Sequence, residues 1–479
     1  MTSRPRLTVV GTGYLGATHA VCMAELGFEV LGLDVLPDKV AALQAGTVPF
    51  YEPGLPELLV KNLDSGRLRF TTSYEEVGAF GDVHFVCVGT PQKKGEFAAD
   101  LTHVDASFAS LLPHARPGSL LVGKSTVPAG TAERLAEQIA AARGDELELA
   151  WNPEFLREGF AVEDTLTPDR LVFGVRSARA EQLLREAFAP VIAGGRDGAE
   201  TPVVVTDFAT AQLVKVAANA FLATKISFIN AMAEVCEATG GDVTLLSKAL
   251  SYDTRIGGRF LHAGLGFGGG CLPKDIRAFM ARAGELGVDQ ALSFLKEVDA
   301  INLRRRARMV DLARELVGGS FGGMRVAVLG AAFKPNSDDI RDSPALDVAA
   351  SIQRQGAAVC LYDPEAMANA RIKHPELGYR DSAVEAARGA DIVLHLTEWA
   401  EFRSMDPAVL SEVVAERRIV DGRNALDPAA WRAAGWTYRA LGRPSPLPHG
   451  RGTSRPERPC RAPGAPACLA PPLAPRSPS

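Results

Sequence analysis

Arg6-Leu-Thr-Val-Val-Gly11-Thr-Gly13-Tyr14-Leu15-Gly16 stands near the start of the chain and decides how the rest is read. The apolar run that breaks at Gly11 predicts a buried strand. A helix is predicted from there to about Gly27, and Glu29-Val-Leu-Gly-Leu-Asp34 predicts a second strand ending in a carboxylate. Strand, glycine turn, helix, strand and acid in this order form the dinucleotide fingerprint. Gly11 makes the tight turn, Gly13 admits a pyrophosphate, Gly16 lets helix pack on strand, and Asp34 accepts from ribose hydroxyls, which favours NAD over NADP. Cys22, on the intervening helix, reads as core.

Working outward, strands are predicted near residues 83–88, 120–123 and 147–150, and in a doubly wound sheet ligands gather at the carboxyl ends of such strands. That places Thr90, Ser125 and Thr126 toward cofactor or substrate, although each hydroxyl alone suits a turn or cap equally well. Asp82 and His84 flank a strand and are expected to face solvent or a neighbouring loop. The loop Trp151-Asn-Pro-Glu154-Phe155-Leu156-Arg-Glu158-Gly159 carries two carboxylates four residues apart, candidates for proton transfer or water positioning, with capping and ion pairing as the alternative.

Between residues 208 and 239 the period becomes that of one long Ala-rich helix, with Lys215 and Asn219 one turn apart on the same face amid apolar neighbours. A lysine so placed serves an anion or a developing oxyanion, unless it lies on a solvated face. Gly264-Leu-Gly-Phe-Gly-Gly-Gly-Cys271-Leu-Pro-Lys274-Asp275 follows, with five glycines in seven residues and then a single thiol. Glycines let backbone approach a ligand closely, and a helix opening there would favour the thiolate of Cys271. A second long helix is predicted over 290–316, its Arg304-Arg305-Arg306 run read as a solvated face. A second nucleotide-type fold begins near Met324, with strands near 358–362, 392–396 and 419–421. It lacks the glycine fingerprint, so no second dinucleotide site is expected. Lys334, Arg341 and Arg423 at its strand ends read as anion ligands, which points to a phosphorylated substrate between two α/β domains.

Composition agrees with a soluble globular chain of several domains: 479 residues, 47% hydrophobic, 23% charged. The net charge of −5 gives no reason to expect a nucleic-acid partner, and no uninterrupted apolar run reaches a membrane span. Seven scattered cysteines without a CxxC pair argue against a disulfide framework and a zinc site, no metal is expected, and a cytoplasmic location is the default. Eleven of the 31 prolines fall after residue 442, so that stretch reads as a disordered basic tail in which Cys460 and Cys468 have no visible role. The expected architecture is α/β: two Rossmann-like doubly wound domains (1–205 and 319–442) joined by long central helices (206–318), with the tail over 443–479.

Gly11-Thr-Gly-Tyr-Leu-Gly16, Ser125-Thr-Val-Pro, Asn152-Pro-Glu-Phe-Leu-Arg-Glu-Gly, the Lys215/Asn219 helix, Gly266-Phe-Gly-Gly-Gly-Cys-Leu-Pro-Lys-Asp and Ala332-Phe-Lys-Pro-Asn-Ser-Asp-Asp-Ile-Arg together resemble the UDP-glucose/GDP-mannose dehydrogenase family, in the right order over residues 5–440. The resemblance implies a four-electron oxidation of a sugar nucleotide's primary alcohol to a carboxylate, two NAD⁺ per turnover, with UDP-glucose as substrate and GDP-mannose or a UDP-N-acetylhexosamine as alternatives. It assigns Cys271 as nucleophile through a thiohemiacetal and a thioester, Lys215 and Asn219 as oxyanion stabilisers, Asp275 and Thr126 as water-positioning or proton-relay groups, and Glu154 as base in hydrolysis. Cofactor positions are Gly11, Gly13, Tyr14, Leu15, Gly16, Asp34, Lys39, Thr90, Thr126, Glu158, Lys274 and Arg341. Substrate positions are Glu154, Phe155, Leu156, Lys215, Asn219, Phe260, Gly268, Lys334, Arg423 and Arg255, the last donated across a homodimer interface. Two departures stand out: Gly89 where Pro or Asn is usual, and Leu272 where Phe often follows the nucleophile. A two-electron β-hydroxyacid dehydrogenase would share the first domain but would not need the thiol. A non-catalytic NAD- and nucleotide-sugar-binding regulator would require a degraded site.

Overall fold

Short, fully buried runs such as Leu7-Thr-Val-Val10 have no wet face, which suits strands covered by helices on both sides. In the computed structural model, which describes residues 4–444, fourteen short strands, most of them largely buried, form two sheets. The first contains β1 (Leu7–Val10), β2 (Val30–Leu33), β3 (Leu68–Thr71), β4 (Val83–Val86), β5 (Leu120–Gly123), β6 (Glu148–Trp151), β7 (Leu171–Val175) and β8 (Val203–Thr206). Its order is β3-β2-β1-β4-β5-β6-β7-β8, parallel except between β6 and β7. The second contains β9 (Arg325–Leu329), β10 (Ala358–Tyr362), β11 (Gly378–Tyr379), β12 (Ile392–His395), β13 (Arg418–Asp421) and β14 (Thr437–Ala440), all parallel in the order β11-β10-β9-β12-β13-β14. Successive side chains alternate between the two faces of the first sheet: Leu7 and Val9 enter one core, and Val10 enters the other. The second sheet has a core of its own around Val326–Leu329 and Ile392–Leu394. In each sheet the order reverses beside the first strand, which opens a crevice at the strands' carboxyl ends.

Between the sheets runs the helix Phe208–Thr239, with the bounds expected from its period. The Asp207 carboxylate caps it by accepting from Thr210 N–H at 2.7 Å, and Gly240, at φ +79°, ends it in the left-handed conformation. It packs on the helices Leu272–Glu285 and Phe294–Leu316. By length and mean hydropathy it could span a bilayer. Several of its buried polar groups pair within the chain: Gln212 accepts from Ala132 N–H, Asn219 donates to Asp275, and Asn230 accepts from Gly264 N–H through Oδ1, while its Nδ2 is left without a partner.

Two expectations fail here. His84 does not face solvent: it is fully buried in β4, its Nδ1 2.8 Å from the Thr8 hydroxyl, and only Asp82 reaches the rim, where it accepts from Arg6 N–H and Arg116. The arginine run is not a solvated face either. Arg304 is exposed, but Arg305 is 0% exposed and ion-pairs with Glu237 at 3.3 Å, while the buried Arg306 pairs with Asp342 at 2.8 Å and with Asp347. Three consecutive helical residues span about 200° of the helix surface, so they cannot share one face. From residue 445 the stretch read as a tail lies outside the described residues, with Cys460 and Cys468.

Candidate functional site

The turn after β1 is built from glycines that do different things. Gly11 has φ +87°, open to glycine at little strain. A Cβ on Gly16 would collide with the Gly11 carbonyl, so helix and strand meet there, whereas a Cβ on Gly13 would find nothing within 4 Å. Gly13 therefore leaves an open approach to the backbone. At the end of β2, Asp34 Oδ2 accepts from Thr12 N–H (3.0 Å), the Thr12 hydroxyl (3.1 Å) and Lys39 (2.9 Å). Its Oδ1 accepts only from Leu36 N–H, at 3.2 Å. Burial pushes this carboxyl up, but the Lys39 ammonium and the amides outweigh it and hold the group ionised. An open glycine turn beside an ionised acceptor fits NAD. Leu15 packs into the core beneath the turn, and the Tyr14 hydroxyl donates to Glu52. Burial and the Glu52 carboxylate push that phenol far up. Glu52, which the sequence did not single out, accepts from Gly159 and Ala161 N–H at 2.7 Å each and so fixes the β6 loop. The Thr90 hydroxyl donates to the Thr126 carbonyl (2.8 Å) and Ser125 to the Val88 carbonyl (2.6 Å), which ties two strand-end loops together.

Cys271 stands at the N-cap of the helix Leu272–Glu285, as the glycine-to-helix pattern predicts. Asp275 in its first turn is 1% exposed, accepting from Asn219 Nδ2 at 2.7 Å and Lys274 Nζ at 2.5 Å. Lys215, one turn before Asn219, holds its ammonium 5.6 Å from the Phe155 ring centroid, and Arg170 covers the same ring at 3.9 Å. The thiol itself corrects an expectation. Cys271 is exposed, yet protein surrounds it closely enough that loss of water is the largest influence on it. That, followed by the Asp275 charge, pushes the thiol up against the opposing pull of Lys215 and Lys274, so the helix terminus does not by itself yield a thiolate.

The glycines before it also do more than admit a ligand. Cβ atoms on Gly264, Gly268, Gly269 and Gly270 would strike, respectively, the Gly422 carbonyl, the Asp342 carbonyl, the Phe333 ring and the Arg341 guanidinium. The loop is bare because the second sheet's loops press on it. Asn302 clamps Phe267 from both sides, accepting from its N–H at 2.7 Å and donating to its carbonyl at 2.9 Å.

The two loop carboxylates part company. Glu154 Oε2 lies 3.0 Å from Lys124 Nζ, while Oε1 accepts from the Phe155 and Leu156 N–H groups (2.7 and 3.0 Å). Burial pushes Glu154 up, but Lys124, those amides and Lys215 pull it below the usual carboxylate range. Glu158 reaches across to the second sheet, accepting from Ser337 (3.1 Å) and Arg341 (3.2 Å). Burial and the Asp339 charge push it up to about 7. Lys334 stands in the same cluster, its ammonium pulled down by burial against the attraction of Glu158 and Cys271.

Three residues expected at the substrate are constrained by the protein itself. Arg423 donates to the carbonyls of Leu396 (2.7 Å), Gly266 (3.0 Å) and Phe333 (3.0 Å), strapping the glycine loop to the second sheet. Arg255 is exposed and forks onto Asp253 at 2.6–3.0 Å. Phe260 holds φ +65°, a strained value for an aromatic residue. Lys124, the partner of Glu154, was not singled out by the sequence, although a lysine directly after an apolar strand is itself a signal.

Known proteins resemble this chain along almost its full length. The UDP-glucose/GDP-mannose dehydrogenase family models match residues 5–192 (NAD binding domain), 209–304 (central domain) and 327–428 (UDP binding domain). A UDP-glucose 6-dehydrogenase of Rhizobium meliloti is 39% identical over 442 residues, covering 92% of this chain and 100% of that protein. One from Rickettsia conorii is 40% identical over 438 residues, covering 91% and 99%. The structure of a UDP-glucose dehydrogenase from the archaeon Pyrobaculum islandicum superposes with a TM-score of 0.83 at 37% identity, covering 92% of this chain and 98% of that one. With the glycine turn, the acid, the thiol and two parallel sheets in the family's order, the chain belongs to the UDP-glucose/GDP-mannose dehydrogenase family.

Proposed function

We propose that this protein oxidises UDP-glucose to UDP-glucuronate in two NAD-dependent steps through a covalent Cys271 intermediate. The observation that carries the reading is the exposed thiol at a helix N-cap, faced by Lys215, Lys274 and the Asn219–Asp275 pair, in a chain of this family. In this division of labour the first sheet (1–205) holds NAD, the central helices (206–318) carry the thiol, and the second sheet (319–442) holds the nucleotide. NAD would lie along Gly11–Gly16 with its ribose on Asp34, Lys39 beside it, and the Thr90, Thr126, Glu158, Lys274 and Arg341 positions around it. Once bound, it supplies the acceptor for one hydride at the alcohol and one at the thiohemiacetal. Cys271 sulfur adds to the aldehyde carbon while a proton moves to the oxygen. Lys215 and Asn219 stabilise the charge that develops on that oxygen. Water then attacks the thioester carbon and gives its proton to Glu154. The carbon–sulfur bond breaks and Cys271 is restored. Asp275 and Thr126 hold water or relay protons, and Phe155, Leu156, Phe260, Gly268, Lys334 and Arg423 line the nucleotide-sugar site.

A homodimer belongs to the same reading. Phe221, Phe228 and Val235, spaced seven apart on the long helix, stand exposed with Leu245 and Tyr252 nearby in sequence, and Arg255 extends from the same region. A second copy would cover that stripe and take Arg255 into its sugar site. A cytoplasmic location is part of the proposal.

The test is the NADH yield per UDP-glucose at completion. Two NADH from the native protein, with turnover lost in Cys271→Ser, is expected. One NADH, with the variant still turning over, would mean an ordinary two-electron alcohol dehydrogenase. Two NADH from another nucleotide sugar only would keep the mechanism and replace the substrate.

A further inference from the structure

Two strand-end loops of the first sheet, those after β5 and β6, meet at a buried ion pair. Lys124, the residue after β5, has a side chain 4% exposed. Its Nζ lies 3.0 Å from Glu154 Oε2, donates to Asn152 Oδ1 at 3.0 Å, and sits over the rings of Phe85 (6.0 Å) and Phe188 (5.6 Å). Asn152 is anchored in turn, donating to the Val172 carbonyl at 3.0 Å. A carboxylate has about four acceptor positions. On Glu154 two go to backbone N–H groups through Oε1 and one to Lys124 through Oε2, which leaves one on Oε2. An ammonium in an aromatic wall is costly without a counter-charge, which Glu154 supplies, and Lys124 in turn holds Glu154 as the carboxylate.

We propose that Lys124 is a positioning residue for the hydrolysis half of the reaction: it fixes the Glu154 side chain and keeps it a carboxylate, with one acceptor position left for the attacking water. The proposal rests on the reading of Glu154 as base. In that step the water oxygen bonds to the thioester carbon, its proton goes to Glu154 Oε2, the C–S bond breaks, and nothing is oxidised or reduced. Protonating Glu154 strands the Lys124 charge, so the proton passes on, to the Cys271 thiolate that the C–S cleavage releases or to solvent, and the carboxylate is restored. Several titratable groups surround Glu154: Lys124 after β5, Lys215 on the long helix, Cys22 on the helix Tyr14–Glu25 and Cys87 after β4. Burial pushes both thiols up, to about 12 for Cys87, and pulls the neighbouring His19 well down, so these three are neutral near pH 7 and the two lysines set the charge. Without Lys124, burial acts against Lys215 and the amides alone, and the carboxyl rises.

The experiment is the pH profile of kcat for UDP-glucose with saturating NAD, in native enzyme, Lys124→Met, Lys124→Arg and Glu154→Gln. In Lys124→Met the acid limb is expected to move up by at least about one pH unit, with kcat near neutrality down roughly tenfold or more, acyl-enzyme accumulating on quenching, and KM for UDP-glucose changed less than about twofold. Lys124→Arg is expected to return the limb toward its native position. An unmoved limb in Lys124→Met, or a pH-independent loss shared with Lys124→Arg, overturns the proposal while a block in Glu154→Gln leaves the base reading standing. A Glu154→Gln enzyme of native kcat sinks the base reading, and this proposal with it. If Lys124→Met does not fold, the native protein carries the test. The carboxylate infrared band lost in Glu154→Gln must persist below the ordinary Glu titration, about pH 4.3, and its disappearance above that value overturns the proposal.

Discussion

In the first sheet the loop after β1 runs Gly11-Thr-Gly13, open at Gly13, and Asp34 at the end of β2 keeps an oxygen with a single 3.2 Å donor and a partly exposed lysine as neighbour. In the second sheet the loop after β9 runs Gly330-Ala331-Ala332, and the matching acid, Asp363 at the end of β10, is 0% exposed. Asp363 accepts from Ala331 N–H (2.7 Å), Ala332 N–H (3.0 Å), Trp399 Nε1 (3.0 Å), Glu365 N–H (3.0 Å) and Ala366 N–H (2.9 Å). A Cβ on Gly330 would strike Thr397, whose hydroxyl donates to the Ala332 carbonyl at 2.7 Å. Both sheets begin with the strand order 3-2-1-4-5-6 and put an aspartate at the same place. One aspartate keeps an oxygen with a single donor beside an open glycine, while the other is saturated by donors from three loops. Topology therefore supplies the crevice, and the loop's internal hydrogen bonds decide whether the crevice takes a dinucleotide.

Paired substitutions break or sharpen that contrast. Asp363→Ala leaves four buried donors without an acceptor and is expected to lower the apparent melting temperature by on the order of 10 °C, read by calorimetry. A fall of only a degree or two would mean that the second loop is not held by its aspartate. Asp34→Ala should shift the melt far less and instead raise KM for NAD roughly ten- to a hundredfold, the worth of charge-assisted hydrogen bonds to ribose. Unchanged NAD affinity would remove the asymmetry between the sheets.

The smallest expected effect lies where loops of both sheets reach the thiol. Burial, Asp275 and Glu158 raise Cys271, so its iodoacetamide alkylation should rise with pH to a midpoint above that of an ordinary cysteine. Thiolate forms as pH rises through the thiol's pKa. Removing a nearby negative charge stabilises the thiolate and moves the midpoint down, by more in Asp275→Asn than in Glu158→Gln. A midpoint that rises in either variant would contradict the electrostatics described above.

Local signals carried much of the reading. The helix Phe208–Thr239 ends where its composition ends, because Asp207 and Gly240 are cap residues by chemistry rather than by context. The glycine fingerprint and the strands β1, β2, β5, β9 and β10 follow from short apolar runs broken by turn residues. The buried Arg305 and Arg306 were hidden because a charge run looks solvated until its partners, Glu237 and Asp342, are known, one of them 68 residues earlier and the other 36 later. Lys124 was hidden for the same reason, its partners lying 28 and 30 residues away across the sheet. Of the glycines before Cys271, the sequence announced that side chains are forbidden, but not that Asp342, Phe333 and Arg341 are what forbids them.

What the sequence alone determined was therefore the chemistry of single residues and the order of elements: an NAD-type turn, a single thiol after a glycine loop, two carboxylates on one loop and a second sheet lacking the fingerprint. The tertiary structure decided protonation. Glu154 and Glu158 lie four residues apart, yet the first is held below the carboxylate range by Lys124 and the second is lifted to about 7 beside Asp339. A carboxyl's pKa depends on the water it loses and on the charges within a few ångströms, and those are set by strands folding together from distant parts of the chain.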